Sequence, residues 1–265
     1  MSCKPKYWIV TDLDGTLMDD NYDITPALDT IKWLKSLSIP IIPCTSQTAS
    51  EVRHFIADIG LSDPFIVENG GAIYIPDIHE SAEIEVILGE PYDLLYETLK
   101  DISSELTYQL IPLNDLSHAD INALTGLNPE EIIRATNRQW SVPFLTPPNE
   151  YIDRLTKLAE TFKVNIFQGN RMSHLLSINS HKGKAIEKLK AVLGQEQVRV
   201  IALGDSQNDL PLLDAGDISI VVPGINGPNR SLINGIQNGQ YILAKGAHSI
   251  GWSNAIRSIL NNEFL

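Results

Sequence analysis

Apolar and polar positions alternate along this chain in two periods, and the changes of period mark its elements. Tyr7–Thr11 is an apolar run too short for a helix, which predicts a buried strand. Thr25 and Pro26 make an N-cap and first-turn pair for a helix that buries Leu28, Ile31, Leu34 and Leu37. Ile39–Cys44 predicts a second strand. Ser50 predicts the start of a second helix, with Val52, Phe55, Ile56 and Ile59 on one face and Gly60 as its stop. Phe65–Glu68 and Ala72–Ile75 follow as short strands around the turn signal Asn69-Gly70-Gly71.

The same rhythm resumes at Lys182, with a helix burying Ala185, Ile186, Leu189 and Val192, then the strand Val198–Leu203. A short helix near Leu210–Leu213 and the strand Ile218–Val222 complete it. Strands that alternate with helices pair in parallel, with both sheet faces covered. Residues 83–179 break the rhythm, with helical stretches near Pro91–Glu105 and Pro129–Asn137 and joints at Pro143 and Pro147-Pro148. The expected fold class is α/β: a Rossmann-like parallel-sheet core from residues 1–82 and 180–265, interrupted by an inserted α+β domain over 83–179.

Composition narrows what such a fold can do. No apolar run approaches the roughly 20 residues that a membrane span needs. The N-terminal apolar stretch is stopped by Asp12 and Asp14, too early for a secretory signal. Twenty basic against thirty-three acidic residues give a formal net charge of −13, which repels a phosphate backbone, so nucleic acid is not an expected partner. Two cysteines, Cys3 and Cys44, are too few for a disulfide framework, and a cytoplasmic location is expected.

The candidate chemistry lies at the ends of the expected strands. Tyr7–Val10 runs straight into Thr11-Asp12-Leu13-Asp14-Gly15-Thr16. Carboxylates two apart on an extended backbone point the same way, and Gly15 lets the chain turn at once. Asp12 and Asp14 therefore sit where a parallel strand ends, the edge at which such sheets bind ligands. A second cluster, Gly204-Asp205-Ser206-Gln207-Asn208-Asp209, follows the strand ending at Leu203. Asp12 and Asp205 can then share one hard cation, with Asn208 and Asp209 on the turn behind. A small all-oxygen set suits Mg2+. A calcium loop is excluded, because its obligatory glycine position is Leu17 or Ile24 in the two available registers. Thr45 ends the second strand and Lys182 opens the helix after the insertion, which brings a hydroxyl and an ammonium to the same edge. Together these groups can hold a phosphoryl group. A phosphomutase would use the same groups, and a silent binding protein would have no need of paired carboxylates beside them.

DLDGT at 12–16, Thr45, Lys182-Gly183 and GDSQND at 204–209 resemble, in kind and order, the motifs of the haloacid dehalogenase superfamily of phosphatases with a large α/β cap. CTSQT at 44–48, ENGGAI at 68–73, residues 125–144 and QGNRMSHLL at 168–176 resemble most the mannosyl-3-phosphoglycerate phosphatases within it. The resemblance implies Asp12 as nucleophile, Asp14 as general acid and base, and Thr45 and Lys182 as phosphoryl holders. It implies a Mg2+ site of Asp12, Asp14, Asp205 and Asp209, and a small phosphorylated sugar or sugar-acid substrate. Ser46, Gln47, Asn69, Gly70, Arg138, Arg171, His174 and Asn208 are the expected substrate-binding positions. Gln47 stands where that group often has lysine and Val142 where it has glutamate, which leaves another phosphosugar, such as sucrose phosphate, open. The insertion carries fourteen Asp and Glu against seven Lys and Arg, so an anionic substrate needs specific cations there, and Arg138, Arg171 and His174 are the candidates.

Overall fold

A computed structural model describes residues 7–77, 82–168 and 172–264; Arg171 lies outside the described residues. In chain order the first elements are β1 (Tyr7–Thr11), α1 (Leu28–Ser36), β2 (Ile41–Pro43), α2 (Ala49–Ile59), β3 (Phe65–Val67), β4 (Ala72–Pro76) and β5 (Glu83–Ile87). Next come α3 (Tyr92–Leu106), α4 (His118–Thr125), α5 (Pro129–Ala135), β6 (Val142–Phe144), α6 (Asn149–Phe162), β7 (Val164–Gln168) and β8 (Ser173–Ser177). The last are α7 (Lys182–Leu193), β9 (Arg199–Gly204), α8 (Leu210–Asp214), β10 (Ile218–Val221), α9 (Ile233–Gln237), β11 (Ile242–Leu243) and α10 (His248–Phe264). No helix of the described residues is long and apolar enough to cross a membrane.

The chain divides into two compact units. The first holds the described residues to Thr45, Asp63–Phe65 and those from Lys182 on; the second holds Ser46–Ser62 and Ile66–His181. In the first, a five-stranded sheet runs in the order β11-β10-β9-β1-β2 with every pair parallel. All five residues of β1 are buried, because a central parallel strand is covered on both faces. α10 packs against α1 and the turn that leads into it, and α7 against α8.

Two helix starts differ from the sequence expectation. Thr25–Ala27 is a 3-10 turn that feeds α1 without a side-chain cap. The capping is done two residues earlier by Asp23, whose Oδ1 accepts from the N–H of Thr25 at 2.9 Å and from its hydroxyl at 2.6 Å. α2 starts one turn position before Ser50, because Thr48 and Glu51 form a reciprocal capping box. Leu37 and Val192, expected in the core, are exposed at the ends of their helices.

The second unit holds two small sheets. β4 pairs antiparallel with β5, from Ala72 opposite Ile87 to Pro76 opposite Glu83. β6, β8 and β7 form an antiparallel sheet in that order. One face of it, Val142, Phe144, Val164 and Leu175, packs on Leu95, Leu99, Ile102 and Leu106 of α3 and on Leu155 and Ala159 of α6. Each fully buried leucine here stabilises the unit by roughly 1.5–3 kcal/mol. The unit also takes in α2 and β4, which the expected core 1–82 includes. β4 goes with its partner β5, and Thr48 donates to the carbonyl of Arg134 in α5 at 2.9 Å.

Candidate active site

Three strand ends supply the polar centre of the first unit. The N–H of Asp12 donates to Leu203 O at 2.9 Å, so strand pairing carries the chain one residue past β1 before it turns. On the other side the N–H of Cys44 donates to Thr11 O at 2.8 Å, and the buried Thr45 follows at once. Asp205 comes directly after β9. All three stand at the carboxyl edge of the parallel sheet, where open α/β sheets bind their ligands.

Lys182, the first residue of α7, sends its ammonium into this centre. Its Nζ donates to Asp12 Oδ1 at 2.6 Å and to Asp209 Oδ1 at 2.6 Å. The other oxygen of Asp209 accepts from the backbone N–H groups of Asp205 and Ser206, each at 3.0 Å. That clamp needs Gly204, where a Cβ would lie 2.5 Å from the Cβ of Asp209. Thr16 Oγ1 stands 3.3 Å from Asp205 Oδ1 and 3.5 Å from Asp12 Oδ2. Gly15 makes the turn between them at φ +83°, and a Cβ there would meet Asp205 Oδ2 at 2.6 Å.

One carboxylate oxygen from each of Asp12, Asp205 and Asp209 lies within 4.8 Å of the other two. With the three ionised and Lys182 protonated, two negative charges remain uncompensated. The electrostatics follow. Burial pushes the Asp12 carboxyl well above its usual range, the charge of Asp209 pushes the same way, and Lys182 opposes both. Burial alone would strip the proton from Lys182, but Asp12 and Asp209 outweigh it and hold the ammonium charged. Cys44 is buried close by, and burial raises its thiol, so it stays protonated.

The first unit thus brings Asp12, Lys182, Asp205 and Asp209 into contact, with Asp14 half-buried in the turn and Asn208 buried beside Ser206, whose hydroxyl donates to it. Sequence reasoning placed no role on Thr16, although it closes the same motif as Asp12 and Asp14.

In the second unit, Arg138 Nη1 donates to Ser46 O at 2.6 Å and Nε to Ala135 O at 2.8 Å. Its guanidinium is taken up by the chain's own carbonyls and ties the segment at Ser46 to α5. Gln47 O accepts from the N–H of Glu68 at 2.9 Å, which sets Gln47 beside the left-handed turn of Asn69 and Gly70. His174 lies on β8 and is buried. Alternation along that strand turns it away from Leu175, onto the sheet face that α3 and α6 do not cover. Glu68 was not foreseen as an anchor. Its buried carboxylate accepts from the N–H groups of Gln139 at 2.9 Å and Trp140 at 3.1 Å and from Ser141 Oγ at 2.6 Å. Burial nevertheless raises its pKa, against the pull of Arg138 and these donors. A lone acid closing the apolar run Phe65–Val67 was the available signal.

Fold and site together define an α/β protein with a lysine-bridged acidic centre at the carboxyl edge of a parallel sheet. The chain belongs to the haloacid dehalogenase-like hydrolase family, whose sequence profile matches residues 9–224. It is 34% identical, over 97% of its length and 98% of the relative's, to a glucosyl-3-phosphoglycerate/mannosyl-3-phosphoglycerate phosphatase of Methanococcoides burtonii. A Persephonella marina protein of the same name is 31% identical over 96% of this chain and 97% of its own. Among solved structures, a Thermoplasma acidophilum protein superposes with a TM-score of 0.71 at 19% identity, over 97% and 99% of the two chains. The sucrose-phosphatase of Synechocystis gives 0.63 at 21%, over 97% and 98%. At those identities the two structures speak for the fold.

Proposed function

We propose that this chain is a Mg2+-dependent phosphatase that releases phosphate from a glycosyl-3-phosphoglycerate, mannosyl-3-phosphoglycerate first. The observation that carries the reading is a buried aspartate bridged by lysine to a second aspartate at the sheet edge, in a chain similar from end to end to phosphatases named for that substrate. The working compartment is cytoplasmic.

The residues of this chain divide the work. Lys182 holds Oδ1 of Asp12, which fixes the carboxylate and leaves Oδ2 to attack phosphorus. Attack breaks the bond between phosphorus and the glycerate oxygen and forms an aspartyl phosphate, splitting one hard displacement into two easier ones. Asp14 gives its proton to the departing oxygen, then takes one from the water that hydrolyses the acyl phosphate. Thr45 and Lys182 hold the phosphoryl oxygens. The donor set fits a divalent cation: all-oxygen, converging, and two charges short of neutral. Asp12, Asp205, Asp209 and the Asp14 backbone would hold Mg2+, which neutralises phosphoryl charge when bound. The second unit selects the substrate, with Arg171 and His174 as the cations for the glycerate carboxylate.

Phosphate release from mannosyl- and glucosyl-3-phosphoglycerate and from neutral phosphosugars, all with Mg2+, tests the proposal. A preference in kcat/KM of about tenfold or more for the glycerate esters is expected, the value of one charged hydrogen bond. Equal turnover of sucrose phosphate would replace the substrate assignment.

A further inference from the structure

α10 reaches the reactive loop twice. His248, its first residue, places Nδ1 2.9 Å from Gly15 O. A carbonyl oxygen can only accept, so Nδ1 carries the hydrogen. Trp252, one helical turn later and fully buried, donates its indole N–H to Thr11 Oγ1 at 3.0 Å. An indole nitrogen only donates, so the Thr11 oxygen accepts, and its own hydrogen is directed to Asp12 O at 2.7 Å. The two contacts therefore end on the carbonyls of Asp12 and Gly15, on either side of Asp14. Residues four apart share a helix face, which is what lets one helix make both.

The entry to α10 is built for this placement. His248 has a left-handed backbone, φ +47°, and its N–H is held by Pro223 O at 3.0 Å. A residue other than glycine held there marks a position that the surrounding structure over-determines. The loop that it meets is closed on itself by the N–H of Gly15 to Met18 O and that of Met18 to Leu13 O. The bond from the imidazole to Gly15 O therefore ties that closed turn to α10.

We infer that His248 and Trp252 are positioning residues, and that α10 braces the Asp12–Gly15 loop so that the two carboxylates keep the alignment phosphoryl transfer needs. The inference rests on the reading of that loop as the reactive centre. Trp252→Phe removes the indole N–H, and two substitutions at His248 separate bracing from backbone strain. His248→Gly removes the donor and relieves the left-handed residue. His248→Asn keeps a donor nitrogen near the Nδ1 position and tolerates that backbone.

The experiment measures kcat and KM of the full chain for an aryl phosphate with Mg2+, alongside amide exchange of Gly15 and Met18. His248→Gly should lower kcat about tenfold or more with KM within about twofold, since a displacement of about 1 Å in a reacting group costs up to a hundredfold. Its melting temperature should not fall. His248→Asn should recover most of the rate, and Trp252→Phe should lower kcat in the same sense. Wild-type kcat in His248→Gly, or equal loss in both His248 variants, would overturn the brace. If the wild-type chain hydrolyses no phosphate ester, the proposed function fails and the exchange data decide: faster exchange in His248→Gly but not in His248→Asn supports the brace, and unchanged exchange overturns it.

Discussion

Nζ of Lys182 lies 2.6 Å from Oδ1 of Asp12, with the lysine side chain fully buried and the aspartate only 6% exposed. The same ammonium meets Asp209, so one cation holds two carboxylates out of water. Lys182→Met should therefore cost about 3–5 kcal/mol in urea unfolding of the metal-free protein, the penalty for stranding buried charge. Adding Asp12→Asn to that variant should restore part of the loss. A Lys182→Met protein as stable as wild type would mean that the bridge is absent in solution.

Asp12→Asn alone should keep the fold and abolish phosphate release, because an amide fills the same space but cannot attack phosphorus. Substantial residual turnover, after correction for contaminating phosphatase, would remove Asp12 from the nucleophile role.

Asp14→Asn separates the acid step from the rest. Loss of rate should be large with an alkyl phosphate and small in the transfer step with an activated aryl phosphate, whose leaving group needs little protonation. Single-turnover kinetics on both substrates read this directly. Equal losses would assign Asp14 to alignment of the loop.

Chelation should remove activity and Mg2+ restore it, whereas Ca2+, larger and looser in geometry, should bind without supporting efficient transfer. Mg2+ at a hundred times its Kd should stabilise the fold by about 2.7 kcal/mol, seen as a rise in melting temperature. Asp205→Asn should abolish most of that rise. Full activity in chelator would contradict the metal assignment.

The raised pKa of Asp12 has a pH signature in the metal-free protein. The folded state keeps a proton that the unfolded chain releases near about 3.9. That contribution is full below the unfolded value and is lost as pH rises through the folded one. In chelator, the melting temperature of wild type minus that of Asp12→Asn should fall as pH rises above the unfolded value. A difference that grows with pH would show the carboxyl to be depressed instead.

What was legible in the chain was its local chemistry. β1 and the turn after it could be read residue by residue, because a fully buried strand is an unbroken apolar run and Gly15 follows two carboxylates. The site residues that matter by contact at long range were harder. Glu68 owes its burial to Gln139, Trp140 and Ser141, some seventy residues away, and no short motif joins them. Trp252, Ala255, Ile256 and Leu260 carry the spacing of a buried helix face in α10, yet nothing in that spacing ties His248 to Gly15. Arg138 was legible as a cation, while its bonds to the carbonyls of Ser46 and Ala135 come from tertiary packing.

A rapid-quench experiment on a single turnover goes to the centre of the proposed chemistry. Substrate and Mg2+ are mixed with excess protein, quenched within the transient, reduced with borohydride to convert an acyl phosphate to homoserine, and mapped by mass spectrometry. Homoserine at position 12, rising and falling before free phosphate reaches its plateau, is the expected result. Phosphate released with no modification at Asp12 at any time, or modification on another aspartate, would contradict it.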